Sequence, residues 1–151
     1  KKASKEIKGV NIKWENGNIF PIYENISGSY ASQKRINKLK ELAILVIDTE
    51  RKKIENEFKQ MAKKRNNIIK IDFDYNTAFS RIRSTKLSPE SEDMHGESDY
   101  ETIWISKNKI SDSVLLGVII HEALHYFATF NDQEICEKDE HFIMRNLGDD
   151  C

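Results

Sequence analysis

The sequence has few cysteines, no long apolar run and almost no net charge. Two cysteines, Cys136 and Cys151, are too few for a disulfide scaffold or a cysteine zinc site, and they suit a reducing compartment. No apolar stretch reaches the roughly 18 residues of a membrane span, and no signal peptide is visible at the N-terminus. Lysine and arginine total 24 against 25 acidic residues, for a net charge of −1. We therefore expect neither nucleic acid nor a membrane as a partner.

The length of the chain predicts one domain. Its 151 residues match the usual domain size, and the sequence contains no internal repeat or clear linker. Hydrophobic residues make up 38%, which is enough for one modest core. We predict a single domain spanning residues 1–151, and a monomer.

The N-terminal segment has the pattern of a β-hairpin. Residues 10–15 and 18–23 are rich in β-forming side chains and flank Asn16 and Gly17. Asn-Gly between two such runs is the strongest short hairpin signal, because both turn positions tolerate positive φ. Pro21 places the second strand at a sheet edge.

Residues 30–65 have helical periodicity. Apolar side chains recur every three to four positions between lysines, arginines and glutamates. This predicts one long helix, or two with a break near Asp48 and Thr49. A buried strand is the alternative for residues 42–48, since short apolar runs are ambiguous.

The second half of the chain alternates between strand and helix patterns. Ser111 or Asp112 is a natural N-cap for the first of its helices, and Gly148 closes the last. We predict a strand at 68–74, a loop at 75–98, a strand at 100–106, a helix at 113–129, a turn at 129–133 and a helix at 134–148.

The segment VIIHEALHYF, residues 118–127, carries three titratable groups among apolar ones. On a helix His121 and His125 lie on the same face, where two imidazoles can bind one Zn²⁺. Glu122 lies roughly 100° around the helix, beside the metal, where it can accept a proton from water. The alternative is a pair of hydrogen-bonded core histidines. Buried polar groups without partners cost about 1–3 kcal/mol each, and a metal would satisfy them together.

This segment resembles the signature of the zincin metallopeptidases. Val118 stands where the signature favours valine or threonine, and Phe127 where it requires an apolar residue. The uncharged positions are filled by Ile119, Ala123, Leu124 and Tyr126. The resemblance covers about ten residues. It implies a small zincin-like α+β fold, with a twisted, mostly antiparallel sheet, an active-site helix carrying HExxH and a later ligand helix.

The resemblance also implies a third zinc ligand from the protein. Ala128 and Asn131 stand where the metzincins have glycine and histidine, so that subfamily is excluded, and the aspzincin motif GTxDxxYG is absent. Gluzincins take a glutamate from a later helix. In the last predicted helix Glu140 lies within an apolar stripe, so we predict it as the third ligand. The alternatives left open are Asp139, Glu137 and His141.

The function implied is a zinc-dependent endopeptidase acting on a protein or peptide substrate. His121, His125 and Glu140 would hold one Zn²⁺, and Glu122 would be the general base. Residues 102–106 would bind substrate by β-augmentation. Candidates for stabilising the oxyanion are Tyr126, Tyr100, His95 and His141, and candidates for orienting the histidines are Asp139, Asp149 and Asp150.

Two other functions remain open at this point. One is a zinc-stabilised binding or regulatory module without activity, and the other is a zinc amidohydrolase that does not cleave peptides. A purely structural site needs no base, so Glu122 favours the enzyme. The 75–98 loop is a candidate specificity element. A cytoplasmic protease and a secreted effector acting in a host cytosol both fit the sequence.

Overall fold

The computed structural model describes residues 4–7, 10–15, 18–22, 29–65, 68–88 and 96–146. Within them the chain has a mixed α+β fold. The helices are α1 (Gln33–Thr49), α2 (Arg51–Lys63), α3 (Tyr75–Arg83), α4 (Asp112–Leu124) and α5 (Glu137–Asn146). The strands are β1 (Ser4–Ile7), β2 (Val10–Glu15), β3 (Asn18–Ile22), β4 (Ser29–Tyr30), β5 (Ile71–Phe73), β6 (Lys86–Leu87), β7 (Gly96–Ser98), β8 (Ile103–Ile105), β9 (Lys109–Ile110), β10 (Ala128–Phe130) and β11 (Gln133–Glu134).

The described strands form four small sheets, ordered β1-β2-β3, β11-β10-β5, β4-β9 and β6-β8-β7. The α+β class is therefore confirmed. The expected single twisted sheet is not found among them, because the hairpin, β5 and β8 lie in three different sheets. β5 and β8 each pair with strands that the hydrophobic pattern did not predict. For β5 the partner is β10, which forms only because α4 ends early.

The predictions for the first half are mostly confirmed. β2 and β3 pair as an antiparallel hairpin, with Pro21 in the edge strand; residues 16–17 lie outside the described part of the chain. The long helical segment is two helices that meet at Glu50, one residue from the predicted break. Residues 42–48 are helical, so the alternative of a buried strand is wrong.

The prediction of a loop at 75–98 is wrong for α3 and also for β6 and β7, which lie within that range. Asp74 caps α3 by accepting a hydrogen bond from the Thr77 N–H at 3.0 Å. Ala78, Arg81 and Ile82 form the buried face of this helix. Only one turn of that face is apolar, so the stability of α3 depends on tertiary contacts that the periodicity does not reveal.

The predicted helix at 113–129 is also too long. α4 ends at Leu124, and a two-residue turn at Asn131 and Asp132 joins β10 to β11. Both turn residues have positive φ, at 51° and 65°, as a type I′ hairpin turn requires. The turn predicted at 129–133 is therefore the tip of a hairpin, and α5 begins later than expected, at Glu137.

Residues 102–106, predicted to bind substrate by β-augmentation, contain β8, which is not an edge strand. β8 lies between β6, which is parallel to it, and β7, which is antiparallel. Residues 104 and 105 have partners on both sides, so their backbone groups already have neighbours within the sheet. Among the described strands of this sheet, β7 is the edge that lies against α4.

The core lies around α4, the most deeply buried helix. α1, α3 and α5 all pack against it. Three phenylalanine rings, of Phe58, Phe73 and Phe127, lie 5.4–5.9 Å apart and join α2 to β5 and the end of α4. The described helices include none long and apolar enough to cross a membrane.

Alanine substitutions at Gly96, which contacts α4, and at Gly117, which lies within it, should change the free energy of unfolding in opposite directions. A Cβ at Gly96 would lie 3.0 Å from the Trp104 carbonyl oxygen and 3.0 Å from Val118 Cγ1, whereas a Cβ at Gly117 meets no described atom within 4 Å. We expect Gly96→Ala to lower the free energy of unfolding by about 1–3 kcal/mol through overpacking. Gly117→Ala should raise it by about 0.5–1 kcal/mol through helix propensity. Urea denaturation of both variants measures this, and a stabilised Gly96→Ala would contradict the close approach of β7 to α4.

Candidate metal centre

α4 carries His121 and Glu122 into the protein interior. Ser111 begins the helix, its Oγ accepting a hydrogen bond from the Val114 N–H at 3.3 Å. The side chains that follow are almost all apolar, so burial of this helix is strongly favourable. His121 and Glu122 are only 7% and 5% exposed. Their placement in a low-dielectric environment strengthens any electrostatic interaction they make.

The helix stops directly before the second histidine of the motif. His125 is the C-cap, with extended backbone angles of φ −65° and ψ 140°, and Tyr126 has a positive φ of 62°. In a continuing helix the Tyr126 N–H would donate to the Glu122 carbonyl. Here it donates to Glu140 Oε2 at 3.0 Å. His125 therefore leaves the axis of α4 and faces α5.

The imidazoles of His121, His125 and His141 converge, with one potential ligand atom from each within 4.8 Å of the others. Their ring centroids are 4.9–5.1 Å apart. The Nε2 atoms of His125 and His141 are 3.2 Å apart. Two nitrogens on one tetrahedral zinc lie about 3.3–3.4 Å apart, given bonds of about 2.0–2.1 Å. The three side chains are thus close enough to bind one metal ion.

Glu140 is buried beside this cluster, at 4% exposure, but it contacts the side of the His125 ring that faces away from His141. Its Oε1 lies 2.8 Å from Nδ1 of His125, the nitrogen that does not face His141. A carboxylate in this position fixes the ring orientation and makes the far nitrogen a better ligand. The sequence predicted Glu140 as the third ligand. The structure instead brings His141, one of the open alternatives, beside the other two histidines.

The surroundings favour the neutral form of His141. Its pKa is lowered, first by burial and then by the neighbouring His125 and His121, whose positive charges would repel a third. A neutral imidazole is the form that binds a metal. His141 therefore suits a divalent ion in its charge state, and the three histidines suit one in their spacing.

The other predicted site residues lie at varying distances from the cluster. Asp139 is engaged elsewhere, in an ion pair with Arg65 and a hydrogen bond from the Cys136 thiol, and Glu137 is exposed. The Tyr126 ring packs against Tyr100, with centroids 4.5 Å apart, at the side of His125. His95, Asp149 and Asp150 lie outside the described residues.

One residue near the site had no role in the sequence predictions. Arg81 of α3 is fully buried and donates to the carbonyls of Glu122, Ala123 and His125. Burial lowers its pKa, while the charges of Glu140 and Glu122 act in the opposite direction. The sequence did not indicate that Arg81 is buried, because residues 75–98 were predicted to be a loop. Had α3 been predicted, the position of Arg81 next to Ile82 on the apolar face would have suggested it.

Comparison with known proteins returned no match from any protein-family model, curated protein or solved structure.

Metal content should distinguish the two candidates for the third ligand. We expect about one divalent ion per chain in the wild type, and loss of most of it in His141→Ala. Glu140→Gln should retain the ion with an affinity lower by about 10–100-fold, as found for carboxylates that orient a ligand. Asp139→Asn is the matched control and should bind as the wild type does. Mass spectrometry of the metal and titration against a chelator measure these values.

If Glu140→Gln loses the ion and His141→Ala retains it at full affinity, Glu140 is the third ligand, as predicted from the sequence. An absence of metal in the wild type after reconstitution would leave the histidines as a hydrogen-bonded cluster.

Proposed function

We propose that this protein is a zinc-dependent endopeptidase with a zincin-like active site. The observation that carries the proposal is the convergence of His121, His125 and His141 with Glu122 directly after the first of them. Two of these histidines and the glutamate belong to the motif that resembles the zincin signature. The third comes from α5, the helix in which that resemblance places a ligand.

Zinc suits this donor set better than a hard cation does. Three imidazole nitrogens match zinc chemistry, whereas magnesium and calcium prefer oxygen ligands. Among the described residues, the group able to share an ion contains three donors. Catalytic zinc sites use three protein ligands and keep a fourth position open, while structural sites close all four. When bound, zinc lowers the pKa of a water to about 7 and polarises a carbonyl oxygen.

Glu122 has the position and environment of a general base. It follows His121 on α4, so its carboxylate projects roughly 100° from that imidazole. Its side chain is 5% exposed, which excludes most bulk water from the reacting groups. It would accept a proton from the attacking water and donate that proton to the leaving amine.

The proposed partner of the substrate backbone is β7. This strand lies against α4, and Ser98 Oγ donates to the Glu122 carbonyl at 3.2 Å. A peptide added to the outer side of β7 would run alongside the helix that carries Glu122. We propose β7 in place of residues 102–106 as the substrate strand, because residues 104 and 105 are paired on both sides.

Removing the base should separate metal binding from catalysis. Glu122→Gln keeps the size of the side chain but cannot accept the proton. We expect its zinc content to equal that of the wild type, and its rate of peptide cleavage to fall about 10²–10⁴-fold. The assay is cleavage of a fluorogenic peptide library by zinc-loaded protein. Glu41→Gln, an exposed site on α1, is the control and should cleave at the wild-type rate.

Other outcomes would redirect the proposal. A zinc-loaded wild type that cleaves no peptide but hydrolyses simple amides would indicate the amidohydrolase. Zinc binding with neither activity, and a large loss of stability on chelation, would indicate a structural zinc module. Undiminished cleavage by Glu122→Gln would remove Glu122 from the mechanism.

A further inference from the structure

We propose that Arg81 is a positioning residue that sets where α4 ends and thereby places His125 for metal binding. The inference rests on the proposed zinc site. It concerns a residue of α3 whose guanidinium bonds backbone carbonyls at the end of α4.

The hydrogen bonds of Arg81 replace those that would extend α4. Its Nη1 donates to the Glu122 carbonyl at 3.1 Å, and its Nη2 donates to the Ala123 carbonyl at 2.5 Å. In a longer helix these carbonyls would accept from the N–H groups of residues 126 and 127. Those N–H groups go instead to Glu140 Oε2 and, at 3.4 Å, to the Leu124 carbonyl. Arg81 therefore satisfies the Ala123 carbonyl and, together with Ser98 Oγ, the Glu122 carbonyl, both of which the helix stop leaves open.

The third contact of Arg81 reaches the histidine itself. Nη2 also donates to the His125 carbonyl at 2.5 Å, on the far side of the turn. The guanidinium thus connects the last turn of the helix to the first residue beyond it. With Glu140 on the Tyr126 N–H, it fixes the backbone on both sides of His125. The imidazole can then have Nδ1 against Glu140 and Nε2 beside His141.

Packing alone is a poor explanation for this arginine. A guanidinium with no exposed surface carries a large desolvation penalty, and an apolar side chain of similar volume often stabilises such a position as well or better. Arg81 Nε also has no hydrogen-bond partner within the part of the chain that the structure describes. What an apolar residue cannot provide is a set of donors to three carbonyls.

Two substitutions separate the donors from the charge. Arg81→Lys keeps the charge but offers one nitrogen in place of the planar group, and Arg81→Met keeps the stem without donors. The matched controls are Arg83→Lys and Arg83→Met, at an exposed position on the same helix. The zinc dissociation constant is measured by competition with a chromophoric chelator. Thermal unfolding is followed with zinc and with chelator, and the Co²⁺-substituted proteins are compared by visible absorption.

We expect both Arg81 variants to bind zinc at least about 10-fold more weakly than the wild type, as for other residues that orient ligands. The rise in Tm on adding zinc should shrink in both, and the Co²⁺ absorption bands should shift. The Arg83 variants should match the wild type in all three measurements. A residue with a purely structural role would lower Tm equally with and without zinc, leaving the dissociation constant and the spectrum unchanged.

Several results would overturn the inference. If Arg81→Lys has the zinc affinity and the Co²⁺ spectrum of the wild type, the positive charge suffices and the several donors of the planar guanidinium are not needed. If neither Arg81 variant folds in excess zinc while both Arg83 variants do, Arg81 is a structural residue of the core. A wild type that binds no zinc would instead refute the proposed function, a result that does not depend on either Arg81 variant.

Discussion

The arrangement of residues 125–134 depends on the carboxylate of Glu140. One oxygen lies against Nδ1 of His125 and the other accepts the Tyr126 N–H. A tyrosine in the left-handed region costs about 1–2 kcal/mol, whereas a hydrogen bond to a charged group contributes about 1.5–3 kcal/mol. The interaction is therefore strong enough to hold the turn. Because the chain turns at Tyr126, residues 128–130 form β10 and pair with β5 and β11 instead of extending α4.

The same carboxylate connects the fold to the candidate metal centre. Glu140 and His141 are consecutive on α5, so their side chains point about 100° apart. Ile143 and Met144, three and four residues after Glu140, are buried and hold that face of α5 in the core. When Glu140 lies against Nδ1 of His125, His141 is directed toward Nε2 of the same imidazole. Helix geometry thus allows one residue to orient a donor while its neighbour supplies another.

Local patterns predicted the parts of this site that depend on local structure. The HExxH spacing, the burial of α4 and the inward position of Glu140 all follow from the order of apolar and polar residues near them. The end of α4 does not, because the apolar pattern of residues 118–127 continues past His125 without a glycine or proline. The groups that end the helix are Glu140, 15 positions after His125, and Arg81, 44 positions before it. A contact over such a separation leaves no periodic signal, so the predicted helix ran too far and Glu140 was predicted as the third ligand ahead of His141.

The third residue of the cluster is His141 and not the predicted Glu140, and this difference changes the chemistry that the proposed site would support. A carboxylate ligand would neutralise half of the charge of a divalent ion, while three neutral imidazoles leave that charge intact. The negative charge of Glu140 is not lost, because it lies 2.8 Å from Nδ1 of a histidine whose Nε2 faces the cluster. It acts through the ring by increasing the basicity of the ligand nitrogen. In the proposed site Glu122 would then be the carboxylate left to act as a base beside the ion. The attraction between such an ion and the Glu122 carboxylate would be strengthened by the exclusion of water around α4, where Glu122 is buried.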